Sequence, residues 1–185
     1  RPMRILSICV LALLSSSAAF AQGAGYRVLA TSKTSTMEKE MNQAGTDGYK
    51  FVAVMGGETA IGGKEVVVLM QKSADATGPF RYHLLATNRT STMEKEMNEA
   101  AADGYDYVGQ TVFESTFGGE EVVTIVERGT KVSSDYIYKL IATSRTSTLE
   151  KEMNQIGPGY QAMGMTVGKT AIGGKELVVI ARKKK

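Results

Sequence analysis

The sequence predicts an α+β fold of three tandem strand-helix-strand-strand repeats, with helices on one face of mainly antiparallel sheets. Three observations carry that prediction. TSTMEKEMN stands at Thr34 to Asn42 and again at Thr90 to Asn98, and TSTLEKEMN stands at Thr146 to Asn154, each copy 56 residues after the last. Each copy follows a short apolar stretch that opens with Tyr: YRVLATS, YHLLATN and YKLIATS. Each unit closes with an apolar, β-branched run behind a pair of glycines: EVVVLM, EVVTIV and ELVVIA.

The opening stretches read as short strands. The nine residues that follow read as a helix start. Ser35 with Glu38 three residues on has the form of a capping box, repeated as Ser91/Glu94 and Ser147/Glu150. Met37, Met41 and Ala44 fall on one helical face, as do Met93, Met97 and Ala100, and Leu149, Met153 and Ile156. Glu38, Lys39 and Glu40 lie off that stripe and are expected to face water. Gly48 and Gly104 suit the left-handed residue just past a helix end. Pro158 is expected to stop the third helix early. The stretch after each Gly-Tyr step reads as a strand, joined to the closing run by the Gly-Gly loop. Closing runs that are apolar at consecutive positions are covered on both faces and lie mid-sheet. One helix covers one face of a three-stranded sheet, so the other face is expected to meet another unit or another chain. Two arrangements satisfy this: a body with three-fold pseudo-symmetry, or units that add strands edge to edge.

The expected domains are a signal peptide at 1–21, repeats at 22–72, 82–128 and 138–185, and linkers at 73–81 and 129–137. The first segment has a basic start at Arg4, an apolar run from Ile5 to Leu14 and small residues ending in Ala19-Phe20-Ala21. That order is the pattern of a cleaved export signal, and it implies a periplasmic or secreted bacterial protein with no stable membrane insertion after cleavage. Removing Arg1 and Arg4 leaves 20 basic residues against 19 acidic ones and takes away the lone Cys. No disulfide then supports the fold. Four of the remaining positive charges are Arg182 to Lys185, read as a solvated basic tail. No basic face suited to nucleic acid is expected.

The unit YRVLATSKTSTMEKEMNQAGTDGYKFVAVMGGETAIGGKEVVVLMQK resembles the small bacterial domain family of unknown function DUF4177. That family has an opening strand with Tyr, a helix of the type LexxLNxxGxxGW, and a Gly-rich hairpin ending in an apolar strand and basic residues. Here Tyr49, Tyr105 and Tyr160 stand where the family has Trp, and Met41, Met97 and Met153 where it has Leu. The resemblance implies a strand-helix-strand-strand fold and no chemistry.

Nucleophilic catalysis requires an activated nucleophile and an oriented base. His83 is the only His, and Arg27 and Lys139 fill its place in the other units, so it reads as a solvent-facing polar slot. Glu38 and Glu40, two apart on a helix, point in different directions and form no acid/base pair. No cofactor, metal site or enzymatic activity is expected. A binding or structural module of the cell envelope is the reading that remains, with a protein partner or a homo-oligomer. The alternative is a small-anion or small-ligand binder. Lys33 with Ser35, Arg89 with Ser91, and Arg145 with Ser147 place a cation and hydroxyls at each helix N-terminus, where anions bind. A second cluster, Tyr49, Phe51, Met55, Tyr105, Tyr107, Tyr160, Met163 and Met165, reads first as core.

Overall fold

The computed structural model describes residues 25–59, 63–73, 79–87, 89–115, 119–130, 135–169 and 174–185. The expected export signal at 1–21 lies outside them, as do most of the Gly-Gly loops and parts of both linkers. No helix among the described residues is long and apolar enough to cross a membrane.

Each unit has the predicted order. Unit one is β1 (Tyr26–Thr31), α1 (Thr34–Thr46), β2 (Tyr49–Thr59) and β3 (Gly63–Lys72). Unit two is β4 (Arg81–Thr87), α2 (Thr90–Ala102), β5 (Asp106–Ser115) and β6 (Gly119–Arg128). Unit three is β7 (Tyr136–Thr143), α3 (Thr146–Gln155), β8 (Gln161–Lys169) and β9 (Lys175–Lys184). The strands take over Arg81, Tyr136 and Ile137 from the expected linkers. Each unit forms its own antiparallel sheet with the closing strand in the centre: β1-β3-β2, β4-β6-β5 and β7-β9-β8. The second strand of each unit carries a bulge at the same place, after Phe51, Tyr107 and Ala162. Gly48 and Gly104 take positive φ just beyond α1 and α2, and α3 is three residues shorter than its sisters.

The units stack in an open row. Met37, Met41 and Ala44 pack with Val66, Val68 and Met70 of their own sheet, and equally with Tyr82, Leu84, Val123 and Ile125 of the next. Met93, Met97 and Ala100 repeat this between Leu85 and Val126 of unit two and Tyr138, Leu140, Val178 and Ile180 of unit three. Each Met, Val, Leu or Ile among them contributes about 1.5–3 kcal/mol on burial, so the stacking is a principal source of stability. The second face of each inner sheet thus meets the preceding unit, as the closing runs required. Among the described residues, element pairs in sustained contact across units join one to two or two to three. A three-fold body would need unit three against unit one, and the sheets do not merge edge to edge. The arrangement is a third one, a stack with two open ends.

Three local readings are corrected. The N-cap residues are Lys33, Arg89 and Arg145, with no side-chain cap. The helices therefore begin one residue ahead of Ser35, Ser91 and Ser147, and no capping box forms. The amides of Lys33 and Arg89 instead donate to Thr31 and Thr87 Oγ1, 3.3 and 3.2 Å away. Glu38 and Glu94 do not simply face water, since both reach the following unit. The basic tail is solvated only at its end: Lys184 and Lys185 are exposed, but β9 runs to Lys184, Arg182 pairs with Asp106 and lies 4.2 Å over the Tyr136 ring, and Lys183 lies over Tyr160.

Candidate functional site

The most elaborate polar arrangement among the described residues is the joint between units, and the repeated nonapeptide builds it. The first strand of each sheet is an edge, whose outward N–H and C=O groups need partners. In unit two they find them on α1. Asn42 Oδ1 accepts from the Tyr82 amide at 3.0 Å, and Asn42 Nδ2 donates to the Tyr82 carbonyl at 2.8 Å. One helical turn earlier, Glu38 Oε2 accepts from the Leu84 amide at 2.8 Å and lies 2.8 Å from His83 Nδ1. Two side chains at i and i+4 thus imitate a neighbouring strand. The second joint repeats the device with Asn98 on Tyr138 and Glu94 on the Leu140 amide.

A buried phenol completes each joint. Tyr82 Oη accepts from the Phe51 amide at 3.0 Å and donates to Glu127 at 2.9 Å. Tyr138 Oη accepts from the Tyr107 amide at 2.8 Å and bonds Asp106. Burial, with the nearby carboxylate adding to it, holds both phenols above the usual tyrosine range. Burial alone pushes Tyr107 up to about 12. Glu127 is raised by burial, against the opposing pull of Tyr82 and Lys50. Arg182 is desolvated, but its bonds to Asp106 outweigh that and raise it.

Asp106 and Glu127 stand directly opposite each other across β5 and β6, a like-charge pair that destabilises an isolated sheet. Neighbours relieve it from both sides. Glu127 pairs with Lys50 of unit one at 3.6 Å, and Asp106 with Arg182 of unit three. Lys64 of unit one adds a bond of 2.8 Å to Glu114 of unit two.

At the two ends of the row the joint is half built. On unit one, Tyr26, Val28 and Met55 are 60%, 64% and 61% exposed, where the matching Tyr82 and Leu84 are buried. On unit three the side chains of Glu150 and Asn154 are exposed and bond to no described residue. Beside them an open groove of about 490 Å³ runs between α3 and β8, lined by Leu149, Met153, Ala162 and Met165. In units one and two the equivalent space is filled by the next sheet.

Protein-family models, curated proteins and solved structures were compared with the chain, and none matches.

The residues expected to hold an anion lie elsewhere. Lys33, Arg89 and Arg145 are exposed at three separate helix starts, with Ser35, Ser91 and Ser147 in the first turns. Among the described residues no two helices are in sustained contact, so the open row does not gather the three cations. Among the described residues no group of three or more His, Cys, Asp or Glu could hold a metal. His83 is half exposed, as its slot suggested, and is engaged by Glu38. Of the aromatic and Met cluster, Tyr49, Phe51, Tyr105, Tyr107 and Met163 join the cores, whereas Met55 and Met165 lie exposed at opposite ends of the row. Sequence reasoning missed Asn42 and Asn98. The signal was present, since Asn is a poor helix former yet occupies the same helical position in all three copies.

Proposed function

We propose that this is a non-enzymatic protein-binding module that works outside the cytoplasm, in the cell envelope or beyond it, by docking protein onto the open ends of its stack. The observation that supports this is a joint formed twice within the chain and left half built at each end. Exposed apolar side chains beside unpartnered polar groups are the composition of a protein-recognition surface rather than of a small-molecule pocket. The N-terminal pattern ending at Ala21 supports export, and cell fractionation tests it: a chain retained in the cytoplasm contradicts that part. The resemblance to DUF4177 adds a fold and no activity.

Photo-cross-linking tests the docking. A photoreactive residue is placed at Val28 or at Met165, with exposed Lys151 as control, and the protein is irradiated in cells. Protein adducts at the two ends and none at Lys151 are expected. An absence of protein adducts at both ends overturns the reading.

A further inference from the structure

We propose that the occupant of each open end is a second copy of this chain, so that the protein assembles head to tail by repeating its own internal joint. The proposal rests on the protein-binding reading above and names its partner.

The two ends are the two halves of one interface. The edge and outer face of β1 carry Tyr26 and Val28 where β4 carries Tyr82 and Leu84, and β7 carries Tyr138 and Leu140. Helix α3 carries Glu150 and Asn154 where α1 and α2 carry the pairs that bind those edges. Laid on the groove, β1 of a second copy presents the Tyr26 amide and carbonyl to Asn154 and the Val28 amide to Glu150. Ala162, which lines the groove, stands at the place of Phe51 and Tyr107, whose amides bond the phenols of the inner joints.

The charges agree with this third joint. At the first joint Lys64 meets Glu114. The corresponding positions across copies are Lys175 and Glu58, again opposite in sign and both exposed. At the place where Lys50 meets Glu127 and Asp106 meets Arg182, the third joint brings together Gln161 and Gln71, two neutral amides that can bond each other. Neither of these two pairings sets like charges against each other. A heterologous contact of this kind generates a ring if the rotation closes and a filament if it does not.

Light scattering coupled to size-exclusion chromatography, run on the purified chain over a range of concentrations, tests the proposal. Wild-type protein is expected to grow beyond the monomer as concentration rises. Val28→Asp spoils one end and Met165→Lys the other; both sites are 64% exposed, so neither change disturbs the core. Each variant alone is expected to stay monomeric, and a mixture of the two to stop at a dimer. Lys175→Glu is expected to weaken association about tenfold, and adding Glu58→Lys to restore it. A wild-type chain that is monomeric throughout, or a mixed pair that does not dimerise while circular dichroism shows both variants folded, overturns the proposal. Foreign-protein adducts in the cross-linking experiment, with no self-association, remove this inference and leave the binding function standing. No adduct of either kind removes both.

Discussion

Substituting the same Asn by Ala in each helix isolates the joint from the helix. Asn42 satisfies the amide and carbonyl of Tyr82, both half-buried at a sheet edge. Removing it strands two backbone groups, each costing about 1–2 kcal/mol at this degree of burial. Ala is the better helix former by about 0.5 kcal/mol, so Asn42→Ala should destabilise by about 2–3 kcal/mol. Asn98→Ala should match it, because Asn98 makes the same bonds to Tyr138. Asn154→Ala breaks no bond to a described residue and should be neutral or stabilise by about 0.5 kcal/mol. Urea and thermal unfolding in dilute solution, where chains are separate, measure all three. The two inner variants should lose about 5–10 °C in Tm. An Asn154→Ala variant as damaged as Asn42→Ala would refute the reasoning, since the loss would then belong to the helix and not to the joint.

Four other outcomes are expected. A Cβ on Gly56 would lie 2.0 Å from the Val112 carbonyl oxygen, whereas one on Gly57 meets nothing within 4 Å; Gly56→Ala should therefore cost about 2–3 kcal/mol in urea unfolding and Gly57→Ala almost nothing. Thr124 is fully buried, its Oγ1 has no partner among the described residues, and Val68 and Val179 hold its place in the sister units; Thr124→Val should stabilise by about 1 kcal/mol in the same assay. Burial raises the Glu127 carboxyl, so the folded state holds its proton more tightly than the unfolded chain; the stability of wild type relative to Glu127→Gln should fall as pH rises from the ordinary glutamate value through the raised one, and a flat or rising difference in urea titrations counts against it. Tyr82 and Tyr138 are raised as well, so their contribution is complete below about pH 10 and lost above it; the stability of wild type relative to Tyr82→Phe should therefore be constant below about pH 10 and fall above it.

The repeat, the element order and the buried helix stripe were legible because each is written locally. The apolar positions at i, i+4 and i+7 need only the helix to explain them, and Gly48 and Gly104 need only the chain reversal. The joint was not legible from the same signals. Periodicity places Glu38 off the stripe and therefore in water, but the Leu84 amide that it binds arrives from a strand 46 residues away. The Ser-x-x-Glu spacing offered a cap, while the unsatisfied strand edge claimed the carboxylate. Arg182 misled in the same way. Grouped with three lysines it reads as a solvated tail, and only the neighbouring unit supplies Asp106. What remained visible was indirect, an Asn retained at a helical position three times; the two opposed acids, Asp106 and Glu127, emerge only from the strand register.

Those acids bear on how a chain with nearly identical units stacks them in order. The nonapeptide is common to all three helices, so Asn and Glu alone would let any helix accept any first strand. The variable charges remove that ambiguity. Unit one offers Lys50 and accepts a following unit bearing Glu127; unit two offers Asp106 and accepts one bearing Arg182. Exchanging units two and three would set Lys50 against Arg182, which replaces an attractive contact with a like-charge one. The shared residues hence supply the affinity of every joint and the variable ones its order. The row ends on Gln161 with Gln71 at the opposite face, so its terminal joint carries no charge of either sign at that position. A neutral pair there repels neither inner partner strongly and selects weakly, which leaves Lys175 and Glu58 as the charges that favour one end of the row for the other.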